Sequence, residues 1–130
     1  MGQATDTANK TINKMKSEMN SKILLMADEL FSNVVRLTPV DKGYLINNWF
    51  TATEGYSDAT TEVADRSGQR SDSDIAVMAT QTPFLEKDSQ VSLSNSLSYA
   101  YQANSVGWFR TPAYHMVEGA MAIVKNKVYK

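Results

Sequence analysis

Apolar residues in the first third of the chain recur at the spacing of one helix face. From Ile12 to Leu37 they are separated by three or four residues, and neither Gly nor Pro interrupts residues 7–37. This period predicts one long amphipathic helix. A second apolar set widens the stripe in its second half, which we therefore expect to lie in the core. The stripe consists of Ile12, Met15, Met19, Ile23, Met26, Leu30, Val34 and Leu37, and the widening set of Leu24, Ala27, Phe31 and Val35.

The first half of this helix is poorer in apolar residues and richer in lysine. At about 1.5 Å per residue the helix would reach about 45 Å, which exceeds the width of a compact domain of this size. We therefore expect residues 1–20 to form a helical extension of a single domain over residues 21–130. Met15 and Met19 are candidate contacts with a neighbouring subunit, and Asn20-Ser21 is a point at which the helix could break in two.

A turn and a strand are predicted to follow the helix. Thr38-Pro39 ends the helix because the residue before proline avoids the helical region. In the turn, Asp41 can accept hydrogen bonds from backbone amides, and Gly43 can take a positive φ. Residues 45–53 are then predicted to form a strand, with Trp49 and Phe50 on opposite faces.

The middle of the chain is acidic and rich in small residues. Residues 54–90 hold eight acidic side chains against three basic ones. We expect residues 54–74 to form a mobile insertion that orders on contact with a partner. A short helix is predicted over residues 74–81, ended by Pro83. The candidate interface side chains in this segment are Asp58, Glu62, Asp65, Arg66, Arg70, Asp72 and Asp74.

Regular structure is predicted again in the last third. Residues 90–96 alternate between apolar and polar positions, as in a half-buried strand. Gly107 is expected to turn the chain back into the sheet, and Thr111-Pro112 to start a closing helix. These elements predict an α+β fold in which a long N-terminal helix and a C-terminal helix pack on a small antiparallel sheet. The predicted buried face of the closing helix is Ala113, Met116, Val117, Ala120, Met121, Val124 and Val128.

Composition limits the available chemistry. The 130 residues include no cysteine and one histidine, His115, which excludes a disulfide, a thiolate nucleophile and a two-histidine metal site. The net charge of -1 offers no bulk basic surface to nucleic acid. No phosphate-binding or dinucleotide motif is found, so we predict no catalytic, cofactor or metal site. We also expect no membrane segment, because the chain starts polar and has no apolar run of about 20 residues.

Asp72 and Asp74 form the only local carboxylate pair that suggests catalysis. Glycosidases use two carboxylates that converge across a cleft from different elements. A run of solvated charges, or acidic residues at a helix N-terminus, is a simpler explanation of this pair than a catalytic site. His115 has no acid at a fixed spacing and is predicted to be structural. A carboxylate-dependent hydrolase is therefore the least favoured alternative.

Two segments resemble a known family. Residues 38–45, with the sequence TPVDKGYL and followed by Asn48-Trp49, resemble the TPVDTGxLxxSW signature of the neck and tail-completion proteins of tailed bacteriophages. Residues 93–100 resemble the family's hydrophobic-x-N-x-x-x-Y-A segment. Lys42 departs from the usual Thr, and the family's Glu shortly before a Gly is missing near Asn104. The matching positions are Pro39, Asp41, Gly43, Leu45, Trp49, Asn95, Tyr99 and Ala100.

The resemblance implies a structural virion protein at the head–tail junction, in a tail-completion, terminator or connector role. Such proteins form homo-oligomeric rings around the DNA channel, with a hexamer favoured here and a dodecamer also allowed. The implied partners are portal or connector and tail proteins, and genomic DNA that passes through the lumen without sequence-specific binding. The implied location is the virion, after assembly in the bacterial host cytoplasm. Residues 54–74 could line the channel, since acids repel phosphates; the alternative is a non-viral interaction module.

Overall fold

The computed structural model describes residues 2–53, 55–80, 90–108, 110–125 and 127. The helices are α1, Gly2–Arg36, α2, Gln69–Ala79, and α3, Met116–Val124; the strands are β1, Trp49–Ala52, and β2, Ser92–Asn95. A π-helical turn, Gln102–Val106, lies between β2 and α3. Helix α1 packs against α2 and α3, and α2 lies alongside β1. This architecture confirms the predicted α+β class with a long N-terminal helix, a C-terminal helix and a small antiparallel sheet.

Helix α1 is one continuous element of 35 residues. It runs without interruption through Asn20-Ser21, where the sequence allows a break. The Ser21 hydroxyl donates to the Ser17 carbonyl oxygen, at 3.0 Å. The helix ends at Arg36, close to the predicted end. There the Thr38 hydroxyl donates to the Val34 carbonyl oxygen, at 2.7 Å, and Pro39 has no N–H to continue the helix.

The predicted core face of α1 is confirmed for the widening set, all four members of which are buried, and is wrong for part of the stripe itself. Within the second half of the predicted stripe, Val34 is buried, but Met26 is 43% exposed and Leu37 is 39% exposed. At about 3.6 residues per turn, the buried set lies about a quarter of a turn away from that stripe. The helix therefore has two apolar faces, and the core covers one of them. The buried set is Leu24, Ala27, Phe31, Val34 and Val35.

The sheet is a single antiparallel pair in which Trp49 of β1 lies opposite Asn95 of β2. Residues 45–48, predicted to begin the first strand, form a turn instead. The side-chain amides of Asn47 and Asn48 each donate to the carbonyl oxygen four residues earlier, at 2.8 and 2.7 Å. This local side-chain bonding competes with strand formation and shortens β1 to four residues.

Helix α2 begins at Gln69, five residues before the predicted start, so the end of the predicted insertion is helical. The Ser67 hydroxyl accepts a hydrogen bond from the Gln69 N–H, at 3.3 Å, and Asp65 in turn accepts one from the Ser67 hydroxyl, at 2.6 Å. Ser67-Gly68, which lies within the predicted mobile insertion, thus leads directly into a helix. The buried side of α2 carries Ile75 and Met78, which are both 1% exposed.

Helix α3 begins at Met116, so the predicted start at Thr111-Pro112 is wrong. The N–H groups of Tyr114 and His115 donate to carbonyl oxygens of the π-helical turn, both at 2.9 Å. These bonds hold the chain against that turn, and His115 takes a φ of 48° before the helix can begin. This hydrogen bonding to the π-helical turn outweighs the preference of Pro112 for the first position of a helix.

The packing of α3 also differs from the prediction. Met116, Ala120 and Val124 are buried, whereas Val117 and Met121 are exposed, because residues four apart on one side of this short helix meet the core. Gly107 does not return the chain to the sheet: Trp108 pairs with Thr111 in an isolated bridge. Four positions of the predicted elements lie outside the described residues: Glu54, Gln81, Pro83 and Val128.

Candidate interaction surfaces

A buried asparagine fastens the acidic loop, residues 55–68, to the turn before β1. Asn48 is 0% exposed, and its amide donates to the carbonyl oxygens of Tyr44, at 2.7 Å, and Thr61, at 3.0 Å. Its Oδ1 atom accepts a hydrogen bond from the Thr61 N–H, at 2.9 Å. This reciprocal pair of bonds imitates one rung of a sheet and fixes the loop at Thr61.

The neighbouring Asn47 makes a second anchor. Its amide donates to the carbonyl oxygens of Gly43, at 2.8 Å, and Asp65. Because Asn47 is also 0% exposed, these bonds form in the protein interior, where an unpaired donor would be costly. The segment predicted to be a mobile insertion is therefore tied to the turn at two points of its backbone.

Side chains of α2 cover the edge of β1 that does not pair with β2. The Trp49 N–H donates to the Ser71 hydroxyl, at 3.2 Å. The N–H and hydroxyl of Thr51 donate to the Asp74 carboxylate, at 2.7 and 3.1 Å. Ser71 and Asp74 are one helical turn apart and meet alternate residues of the strand. The helix thus satisfies N–H groups that an open sheet edge would expose.

Arg70 also belongs to this contact between α2 and β1. Its guanidinium donates to the carbonyl oxygens of Asn47 and Trp49, and its Cζ atom lies 3.8 Å from the centroid of the Phe50 ring. Burial lowers the pKa of Arg70, and the negative charge of Asp74 opposes that shift. Arg70 and Asp74, predicted as interface residues, are therefore placed by the structure in contacts within the chain.

We expect Asp74→Ala to lower the free energy of unfolding by about 2 kcal/mol, because two bonds to a charged acceptor are lost and the Thr51 N–H is left unpaired. Urea unfolding followed by tryptophan fluorescence measures this change. Asp72→Ala on the same helix is the matched control, since Asp72 is exposed, and should change stability by less than about 0.5 kcal/mol. Equal effects of the two substitutions would contradict the edge-covering role.

The remaining charged candidates lie at the surface. Hydrogen bonds from the Ser67 hydroxyl and the Ser67 N–H lower the pKa of Asp65. The acidic loop therefore presents a charged outer side while its backbone is anchored beneath. The exposed candidates are Asp58, Glu62, Asp65, Arg66 and Asp72.

The carboxylate pair on α2 does not converge. Residues two apart on a helix point in different directions, and Asp74 bonds Thr51 while Asp72 is exposed. His115 is also exposed, with its Nδ1 atom 3.6 Å from a Glu118 carboxylate oxygen. Across the part of the chain that the structure describes, no three His, Asp or Glu side chains are grouped to hold a metal ion.

An apolar stripe lies at the surface of the N-terminal part of α1. Met15 and Met19 are 57% and 60% exposed, and the helix makes its packing contacts further along, from Leu24 onwards. A row of large apolar side chains on an otherwise solvated helix is a feature of surfaces that bind another protein. We call this row the outer stripe; its members are Ile12, Met15, Met19, Ile23 and Met26.

A pocket of about 340 Å³ lies between the turn after α1 and the chain around the π-helical turn. Asp41 and Lys42 are its charged members. Burial raises the pKa of Tyr99, and the nearby charge of Asp41, followed by that of Tyr44, raises it further. We call this site the aromatic pocket because four aromatic side chains, each 39% to 45% exposed, line it: Tyr44, Tyr99, Trp108 and Tyr114.

The two segments that carry the family resemblance meet at this pocket. The first contributes Asp41 and Gly43 to the lining, and the second contributes Tyr99. The segments are also joined beside it, where the Asn95 amide donates to the Leu45 carbonyl oxygen, at 2.9 Å. The structure thus brings most motif residues together, with Trp49 and Ala100 buried in the core.

Sequence reasoning missed several of these residues. Adjacent amides at Asn47-Asn48 inside an apolar run were a usable signal, because asparagine disfavours strands and favours turns. Ser71 carried no comparable signal. The pocket aromatics Trp108 and Tyr114 come from a segment far from Tyr44 in sequence, so only the fold joins them.

No family model, curated protein or solved structure matches the chain. Among the helices described, none has the length and apolar character needed to cross a membrane. The outer stripe, the acidic loop and the aromatic pocket are therefore the features from which a function is inferred.

Proposed function

We propose that this chain is a structural protein of the bacteriophage neck or tail, which assembles through its own copies into a ring at the head–tail junction. The observation that carries the proposal is the outer stripe: the N-terminal part of α1 presents apolar side chains that the chain's own core does not cover. Covering such a stripe with another protein removes it from water, which is the main driving force of association.

Several further features support this role. The turn and the Leu93–Ala100 region resemble the neck and tail-completion family, and they meet in one place on the surface. The anchored acidic loop offers a charged surface for a portal, connector or tail protein, or for a channel through which DNA slides without being read. The methionines of the outer stripe suit an interface that must adapt to its neighbour.

Native mass spectrometry of the full chain tests the self-association. We expect a closed multimer at micromolar concentration, and we expect the double substitution Met15→Lys with Met19→Lys to weaken assembly at least about a hundredfold. Burying each of these side chains contributes about 1.5–3 kcal/mol, and about 1.4 kcal/mol corresponds to tenfold in affinity.

The matched control adds the same charges elsewhere on the helix. Asn13→Lys with Ser17→Lys alters exposed positions away from the outer stripe and should leave the multimer intact. A wild-type chain that stays monomeric, alone and with portal or tail proteins, would overturn the proposal. The viral assignment is tested separately: capsid and tail genes should flank the gene, and a non-viral interaction module would lack them.

A further inference from the structure

Lysines border the outer stripe on both sides. Lys16 lies four residues after Ile12 and three before Met19, so it is a helical neighbour of both. Lys22 lies three residues after Met19 and four before Met26, on the other side of the row. Both are exposed, and neither forms an ion pair within the described part of the chain. The helix face is thus apolar along its centre and cationic at its borders.

The aromatic pocket has the complementary character. Its walls are aromatic rings, which bind methionine sulfur and cations favourably. Its charged members are Lys42 and Asp41, and the Asp41 carboxylate has no ion-pair partner among the described residues. The apolar and sulfur-containing groups of a ligand would contact the rings, and a cationic group would pair with the Asp41 carboxylate.

We propose that the outer stripe of one copy, with Lys16 and Lys22, docks at the aromatic pocket of a second copy, where the lysines pair with Asp41 and the rings. This inference rests on the proposed self-association and names the surfaces that carry it. The occupant is a second copy, because the same chain supplies both the aromatic pocket with its Asp41 carboxylate and the methionine-rich helix face that lysines border.

The positions of the two surfaces determine the kind of assembly. The outer stripe centres on Met19, whereas Asp41 follows Arg36, the last residue of α1. At about 1.5 Å per residue, Met19 lies about 25 Å along the helix from that end. Two different surfaces at separate ends of the molecule make a head-to-tail contact, which closes into a ring if its rotation closes and otherwise extends as a filament.

Cysteine cross-linking tests the contact directly, because the chain has no cysteine of its own. Chains carrying Met19→Cys are mixed with chains carrying Lys42→Cys, at the pocket, and oxidised. We expect a disulfide between the two kinds of chain and little between chains of one kind. A disulfide between two Met19→Cys chains would show helix-on-helix packing and would overturn this inference.

Charge exchange supplies a second test. Lys16→Asp with Lys22→Asp should weaken assembly about tenfold, and Asp41→Lys added to that variant should recover most of the loss. The control, Lys10→Asp with Lys14→Asp, makes the same charge change on exposed positions away from the outer stripe and should have little effect. A monomeric wild type contradicts the proposed function itself. A multimer that resists charge exchange and forms no mixed disulfide contradicts only the docking geometry.

Discussion

Asn48→Asp should lower the free energy of unfolding by about 4 kcal/mol at neutral pH, because it places an unpaired charge in the protein interior. Asn48 is 0% exposed, and its amide donates to the carbonyl oxygens of Tyr44 and Thr61. A carboxylate has no proton to donate, so it would face two carbonyl oxygens and repel them. Of the two bonds that hold the acidic loop at Thr61, the one that the amide donates would be lost and replaced by repulsion, while the Thr61 N–H could still donate to the carboxylate.

The size of this loss should depend on pH. Burial and the two facing carbonyl oxygens favour the neutral form of the new carboxyl, so its pKa in the folded state lies above the unfolded value of about 3.9. The destabilisation is therefore smallest below about pH 3.9 and grows as the pH rises through the raised folded-state pKa. Urea unfolding at a series of pH values measures both the magnitude and the sign.

The matched control is Asn13→Asp, which makes the same chemical change at an exposed position of α1. We expect a change of less than about 0.5 kcal/mol there. If Asn48→Asp were equally mild, or became milder as the pH rose, the buried hydrogen bonds at Thr61 would not be what fixes the loop.

The sequence predicted the existence of the helices and strands better than it predicted which helix faces are buried. The period of α1 is strong enough to define the helix, and the widening set is buried as predicted, but periodicity alone does not say that part of the stripe stays exposed. The face that carries Leu24 and Phe31 is buried because α2 and α3 pack on that side. These contacts join segments that are distant in sequence, so the local pattern does not reveal them. The face left over became the outer stripe.

Local signals failed where a contact between distant segments decided the conformation. Pro112 marks a helix start in isolation, but hydrogen bonds from Tyr114 and His115 to the π-helical turn delay α3 to Met116. Residues 45–48 suit a strand by composition, but Asn47 and Asn48 bond backward and make a turn. The segments that carry the family resemblance contribute part of the lining of the aromatic pocket. The rest of the lining comes from residues that only the fold brings close to them.

Gly43→Ala should lower the free energy of unfolding by about 3 kcal/mol. Gly43 has a φ of 89°, a conformation that side chains with a Cβ rarely adopt. A Cβ at this position would also lie 2.5 Å from the Ala64 carbonyl oxygen and 2.7 Å from its carbonyl carbon. Both atoms belong to the backbone of the acidic loop, which the asparagine anchors hold in place, so the loop cannot move without losing those bonds.

Gly55→Ala separates the cost of backbone strain at a positive φ from the cost of the steric clash with Ala64. Gly55 also has a positive φ, of 62°, but a Cβ there meets no atom within 4 Å, so only the backbone penalty of about 1 kcal/mol should appear. Thermal and urea unfolding of the two variants should therefore differ by about 2 kcal/mol, which is the part due to Ala64. Equal losses would mean that the acidic loop yields freely at Ala64. A larger loss at Gly43 would show that the acidic loop is held rigidly against Gly43, which lines the aromatic pocket.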